Sequence, residues 1–246
     1  MTESSLVLSV VVPVRNEADN IIPLIEEIDA ALVGRYSYEI VYVDDASDDA
    51  TPENLSAARA ARPHLRVLRH RRRCGQSQAV ASGVKASGGH LIATLDGDGQ
   101  NDPADIPPMV ERLLAVPDGV RSFLMVAGRR RKRQDSVLRR LSSRIANRVR
   151  AALLRDDTPD SGCGLKVFTR EAFLDMPRFD HMHRFLPALM IRRGGTVVSV
   201  PVNHRPRQRG ASKYGLWDRL WVGIVDILGV MWLQRRASRP DIEFPQ

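Results

Sequence analysis

The chain has 246 residues, 43% hydrophobic and 27% charged, with 37 Lys and Arg against 29 Asp and Glu for a formal net charge of +8. That mix supplies a globular core and excludes disordered and collagen-like classes. Two cysteines, Cys74 and Cys163, are too few for a disulfide framework and lack Cys/His companions at zinc spacing, so a reducing cytosol is the expected setting.

Leu6 to Val14 is a Val-rich, nearly continuous apolar run, which suits a strand buried on both faces of a parallel sheet. Asn16 to Val33 places Ile21, Ile22, Leu24, Ile25, Ile28 and Leu32 at helical spacing, and Gly34 stops the helix. Tyr38 to Val43 predicts a second strand, Thr51 to Arg62 a helix, Leu65 to Leu68 a strand, Gly75 to Ala86 a helix and His90 to Leu95 a fourth strand. Alternation at this rhythm describes βαβ units and an open, mainly parallel α/β sheet with helices on both faces. Further on, the pattern predicts a helix near Asp105 to Leu114, a strand near Phe123 to Ala127 and a long basic helix near Ser136 to Leu154. A loop at Asp160 to Gly164 and strands at Leu165 to Phe168 and Thr196 to Val202 follow. No stretch of about 20 uninterrupted apolar residues occurs, so a spanning helix is not expected. The N-terminal Met1 to Ser5 lacks the basic start of a signal peptide.

Ligands of such sheets bind outside the carboxyl ends of the strands. Those ends are polar here: Pro13-Val14-Arg15-Asn16-Glu17 after strand one, Asp44 to Asp49 after strand two, Asp96-Gly97-Asp98-Gly99-Gln100 after strand four. Neither a Gly-x-Gly-x-x-Gly after strand one nor a Gly-Lys-Ser/Thr is present, which removes the dinucleotide fingerprint and the P-loop. Two carboxylates two residues apart, each followed by Gly, can offer oxygens to one hard divalent cation, whose remaining positions go to water and phosphates. A purely structural Gly-rich turn is the competing reading. The positive charge is clustered: Gly128 to Arg155 holds eleven Lys or Arg and one acid, Asp135, and Arg205, Arg207, Arg209 and Lys213 form a second group. Nucleic acid, phosphorylated small molecules and anionic membrane all answer to such clusters.

Four ordered motifs now stand together: Val11-Val12-Pro13-Val14-x-Asn16-Glu17, Val43-Asp44-Asp45-x-Ser47-x-Asp49-x-Thr51, Asp96-x-Asp98-x-Gln100 and Arg205-Pro206-Arg207-x-x-Gly210-x-Ser212-Lys213-Tyr214. The combination, spanning Leu6 to Tyr214, resembles family-2 glycosyltransferases of the dolichol-phosphate mannosyltransferase type and their bacterial polyprenyl-phosphate relatives. The resemblance implies a GT-A fold, a nucleotide-sugar donor, a polyprenyl phosphate acceptor and a divalent metal, Mg²⁺ or Mn²⁺. By position it implies that Pro13, Glu17 and Asp45 meet the nucleotide, and that Asp96, Asp98 and Gln100 hold the metal and diphosphate, with Asp98 the most direct ligand. It further implies that Arg130, and more weakly Arg140, meet the acceptor phosphate. Arg205, Arg207, Ser212 and Lys213 match the late phosphate-clamping motif, and Asp160 and Gly164 the acceptor loop. Asp160 either orients the acceptor or shapes its loop.

The chemistry is consistent with this reading. Departure of a nucleoside diphosphate needs its charge neutralised. A phosphate monoester, with a second pKa of about 6, is already a nucleophilic anion near neutrality. The site must therefore hold two anions together, a task for paired arginines rather than a strong base. His181 and His183 have metal-like spacing without a third ligand and read as surface or packing residues, and Cys163, with no base partner in sequence, reads as a small packing residue.

Trp217, Leu220, Trp221, Ile224, Leu228 and Met231 recur at helical spacing, and all three tryptophans fall here. The segment predicts an amphipathic helix for a membrane surface or a second subunit, beyond a transferase domain at 1–214 and within a tail unit at 215–246. The expected protein is an inverting enzyme placed peripherally on the inner face of the membrane, with a homo-oligomer allowed. Transfer to another acceptor is the nearest alternative, although the Gln-x-x-Arg-Trp element of processive synthases is absent. A basic nucleic-acid-binding module is the alternative from another class. It leaves the acidic strand ends unexplained and has only 5% aromatics for stacking.

Overall fold

The computed structural model describes residues 7–131, 150–156, 158–206 and 216–238. Strand β1 (Leu8–Val14) is buried along its whole length, as a Val-rich run without alternation requires. Helix α1 (Ile21–Leu32) buries Ile21, Leu24, Ile25, Ile28 and Leu32, and Gly34 behind it takes φ +74°, a conformation that suits glycine. The alternation continues through β2 (Tyr38–Asp44), α2 (Thr51–Ala60), β3 (Leu65–Arg69), α3 (Gln76–Ala86) and β4 (Leu91–Thr94). Then come α4 (Ile106–Leu114), the single-turn α5 (Asp118–Arg121), β5 (Leu124–Arg130), β6 (Lys166–Thr169), α6 (Arg170–Leu174), α7 (Leu186–Arg192), β7 (Thr196–Val202) and α8 (Leu216–Arg235).

The strands form a seven-stranded sheet in the order β3-β2-β1-β4-β6-β5-β7. β1 pairs in parallel with β2 and β4, and β2 with β3. β6 runs antiparallel between β4 and β5, while β7 returns parallel to β5. The expected mainly parallel α/β sheet is therefore present, with β6 as its reversed member. β5 continues past the expected end at Ala127 to Arg130, because β7 supplies ladder partners as far as Arg130 opposite Val202. The expected basic helix at 136–154 lies mostly outside the described residues; its last part, 150–154, is helical.

Side chains leave the sheet alternately and feed two apolar layers. Val10 and Val12 join Ile40, Ile25 and Val110 on one face, whereas Val11 joins Val41, Val84, Phe168 and Leu189 on the other. Each such aliphatic side chain contributes about 1.5–3 kcal/mol by leaving water, which rigidifies the strand ends that carry the polar loops. The chain reverses its winding between β1 and β4, so the crevice at their carboxyl ends is the topological switch point. Pro13 and Asp96 flank it.

Candidate active site

The loops after β1 and β2 brace each other. Asn16, in the left-handed region at φ +57°, donates its backbone N–H to Ser47 Oγ at 3.0 Å and accepts from the Asp48 N–H at 3.0 Å. The Glu17 N–H donates to Thr51 Oγ1 at 2.9 Å, and the Glu17 carboxylate accepts from Asn20 Nδ2 at 2.7 Å. These hydroxyl and amide side chains do locally what a ladder cannot do in a loop. Pro13 and Glu17 are thereby held on one rim of the crevice.

Asp45 sits on the same rim, buried, with its carboxylate enclosed by hydrogen bonds. Oδ1 accepts from the His70 ring Nδ1 at 2.8 Å and the Cys74 N–H at 2.7 Å; Oδ2 accepts from the Gly75 N–H at 2.7 Å. Burial works against ionisation, yet the bonds from His70, Cys74 and Gly75 hold its pKa below the usual carboxylate value. The ligand atoms of Asp45, His70 and Cys74 lie within 4.8 Å of one another, a spacing compatible with a metal. Both imidazole nitrogens are already engaged, Nε2 with Ser82 Oγ at 2.9 Å, so the hydrogen-bond network accounts for the cluster.

Asp96 follows β4 at the base of the crevice and accepts from Gln76 Nε2 at 2.8 Å. Burial and the neighbouring Asp98 push its pKa up to about 6, against the pull of Lys166 and Arg130. Two carboxylates that repel at the end of a strand, with oxygen donors only, are the donor set a hard divalent cation relieves. Asp98 Oδ1 accepts from the Gln100 N–H at 3.1 Å and lines a small recess of about 100 Å³ with Asn20, Glu27 and Arg205. Gly164 lies against Asp96, and a Cβ there would fall 2.2 Å from Asp96 Oδ2. Lys166, on β6 opposite Thr94, is buried and donates to the Cys163 carbonyl; burial pushes its pKa down.

Arg130 and Asp160, expected together at the acceptor, form a bidentate pair. Nε and Nη2 each donate at 2.7 Å to Oδ2 and Oδ1, with the side chains only 18% and 8% exposed. Asp160 therefore takes up one edge of the guanidinium that the resemblance directs to phosphate. Arg130→Ala should strip the mostly buried Asp160 carboxylate of its bidentate guanidinium partner and cost about 3–5 kcal/mol in urea unfolding, with Arg130→Ala/Asp160→Ala recovering part of it. Single changes costing under about 0.5 kcal/mol would contradict this. Arg205 is likewise committed: it bonds both Glu27 carboxylate oxygens at 2.8 Å and pairs with Asp102 at 2.9 Å. Its N–H donates to the Gln100 carbonyl at 2.9 Å, and its own carbonyl accepts from Gln100 Nε2 at 3.3 Å. In this structure Arg205 ties the late motif to the Asp-x-Asp loop and α1. Arg140, Arg207, Ser212 and Lys213 lie outside the described residues.

Gln76 and Lys166 belong to no sequence motif, because each is a lone polar residue within an apolar or basic context. Only the topology brings them to Asp96. His183, read as surface or packing, lines the cavity beside Asp96. His181 Nδ1 lies 3.0 Å from Asp226 of α8. Cys163 is buried as expected.

Comparison with known proteins gives three findings. The model of Glycosyl transferase family 2 matches residues 9–176. The chain is 36% identical over 247 residues to a dodecaprenyl-phosphate galacturonate synthase of Rhizobium johnstonii, spanning 96% of this chain and 70% of that protein. It is 37% identical over 213 residues to an undecaprenyl-phosphate 4-deoxy-4-formamido-L-arabinose transferase of Edwardsiella ictaluri, covering 85% of this chain and 63% of that protein. Among solved structures, glucosyl-3-phosphoglycerate synthase from Mycobacterium tuberculosis, in complex with Mn²⁺, UDP and glucosyl-3-phosphoglycerate, aligns with a TM-score of 0.70 at 20% identity. The alignment covers 97% of this chain and 82% of that one. The same enzyme with Mg²⁺ and UDP aligns at 0.68 and 19% identity. This likeness establishes the GT-A fold.

Proposed function

The chain belongs to glycosyl transferase family 2, and on that premise we propose that it moves one sugar, with inversion, from a nucleotide sugar to the phosphate of a polyprenyl phosphate. The observation that carries the proposal is the Asp96 and Asp98 pair beyond β4 at the switch point, where Asp98 helps to raise the pKa of Asp96 and Asp96 lines a cavity. Relatives acting on dodecaprenyl and undecaprenyl phosphates support the acceptor. Solved neighbours with UDP and Mn²⁺ or Mg²⁺ support the donor class and the metal.

In this reading Pro13, Glu17 and Asp45 form the nucleotide rim, and Asp45, already saturated by its own loop, shapes that rim as much as it reads the base. Asp96, Asp98 and Gln100 would hold the divalent cation, which supplies charge neutralisation to the leaving diphosphate. Arg130, oriented by Asp160, adds positive charge on the acceptor side. Arg140, Arg207, Ser212 and Lys213 are assigned to the acceptor phosphate from their motifs. Arg205 contributes by fixing the segment that carries Arg207 to the Asp-x-Asp loop. The acceptor phosphate needs no strong base, since it is already anionic near pH 7; the side chains bind and orient it against the repulsion of the donor. The test is to incubate the protein with short-chain polyprenyl phosphate, Mg²⁺ and a panel of labelled nucleotide sugars. Label from one donor should enter the lipid phase, and no lipid label from any donor would overturn the proposal.

The membrane reading rests on α8. Ile227, Met231 and Leu233 pack against the domain, whereas Ile224, Val225, Leu228 and Trp232 stand 43–60% exposed on the other side. No described helix is long and apolar enough to cross a membrane. An exposed apolar stripe ending in Arg235 and Arg236 suits the surface of an anionic bilayer, and the unit at 215–246 is proposed as that docking element on the inner face. Leu228→Glu/Trp232→Glu should weaken sedimentation with anionic vesicles by about tenfold or more. Transfer to a water-soluble short-chain acceptor should persist; unchanged vesicle binding would contradict the membrane role.

A further inference from the structure

Beside Asp96 the crevice opens into a cavity of about 410 Å³, lined by Gln76, Lys166 and His183 among others and closed by Asp226 and Ile227 of α8. Its position is informative. Pro13, which leads into the loop of Glu17, and Asp96, the first acid of the Asp-x-Asp motif, both line it. A group attached past a diphosphate held at Asp96 would adjoin this cavity.

His183 is fixed in the wall by one residue of α3. Ser77 Oγ accepts the His183 backbone N–H at 3.2 Å and lies 2.7 Å from the ring Nδ1. Ser77 is 3% exposed, and its hydroxyl proton has no other described acceptor within hydrogen-bond distance. The hydroxyl must donate to Nδ1, which leaves the ring proton on Nε2. Nε2 makes no hydrogen bond among the described residues. The ring is also neutral: burial, with Arg184, Lys166 and His181 nearby, pushes its pKa down to about 3.

We propose that His183 contacts the transferred sugar, donating from Nε2–H to one of its oxygens, and that Ser77 is the positioning residue that selects the donating tautomer. The inference rests on the reading of the protein as a nucleotide-sugar transferase and adds a residue that discriminates among sugars. A neutral, tautomer-locked N–H suits a hydroxyl or carboxylate oxygen, whereas a phosphate would be met by cations in a fork. A purely structural tie between α3 and the turn at Met182–Arg184 would instead serve stability alone.

Calorimetry separates these roles and needs no acceptor, so an error in the assigned acceptor leaves the test standing. The probes are UDP-glucose, UDP-galacturonic acid and GDP-mannose with Mn²⁺, each against its free nucleoside diphosphate. For the tightest nucleotide sugar, His183→Phe should weaken binding about tenfold, the worth of one neutral hydrogen bond in a partly desolvated site. The matching nucleoside diphosphate should change less than twofold. His183→Gln, which keeps an N–H donor, should recover part of the loss, and Ser77→Ala should show an intermediate one. Equal losses for sugar and free diphosphate would overturn the proposal, as would an unchanged sugar affinity in His183→Phe. Failure of every nucleotide and nucleotide sugar to bind the wild type would overturn the transferase reading itself.

Discussion

Asp98→Ala is expected to lower sugar transfer by about a thousandfold or more, the scale on which enzymes lose rate when charge stabilisation of a leaving group is removed. The fold should not suffer. Asp98 is partly exposed in the loop beyond β4, outside the apolar core, and its carboxylate accepts from the Gln100 N–H of that same loop. Its charge is also one of the causes that raise the Asp96 pKa, so removing it relieves a repulsion. The expected signature is a collapse of kcat with a urea midpoint at or slightly above that of the wild type. Steady-state transfer and chemical unfolding on the same preparation check both halves. Activity within tenfold of wild type would remove Asp98 from the centre of the site.

Gly164→Ala is the second large effect, and it adds only a methyl group. That carbon would fall 2.2 to 2.5 Å from three atoms of the Asp96 carboxylate group, far inside van der Waals contact. Gly164 is held in place, because its carbonyl accepts from Thr94 Oγ1 at 2.7 Å, so the carboxylate must turn. Turning breaks the 2.8 Å bond from Gln76 and misaims the first acid of the Asp-x-Asp pair. Displacements of about an ångström at a reacting centre cost on the order of a hundredfold in rate, and overpacking costs about 1–3 kcal/mol of stability. The variant should therefore stay folded, bind Mn²⁺ more weakly and transfer sugar about a hundredfold more slowly. Normal Mn²⁺ affinity and normal rate would mean that the close approach of Gly164 has no bearing on the site.

Much of this architecture is written locally in the chain. The run from Leu8 to Val14 and the spacing of Ile21, Leu24, Ile25 and Ile28 encode strand and helix by apolar periodicity alone. The rhythm of four such strands implies a crevice at their carboxyl ends. The reversed direction of β6 is not encoded in its four residues, Lys166 to Thr169; it follows from which neighbours the strand finds, β4 and β5. The same limit applies to side-chain partnerships. Arg130 reads as a phosphate ligand until Asp160, thirty positions away, is seen to fill one edge of its fork. Arg205 reads likewise until Glu27, from the first helix, meets it. His183 carries no local sign of its role, because the partner that sets its tautomer, Ser77, lies 106 positions earlier. In α8 the apolar stripe was legible but its division was not: Met231 turns to the domain and Leu228 to solvent, a split set by packing on α7.

In the proposed reaction a lipid-linked phosphate, rather than a hydroxyl, receives the sugar. The direct measurement follows label from the preferred nucleotide sugar into short-chain polyprenyl phosphate and into the matching polyprenol, each with Mn²⁺ and with a chelator. Incorporation is expected into the phosphate alone, only with the metal, and none by Asp98→Ala. Equal labelling of the polyprenol, or full labelling of the phosphate with chelator present, would contradict it.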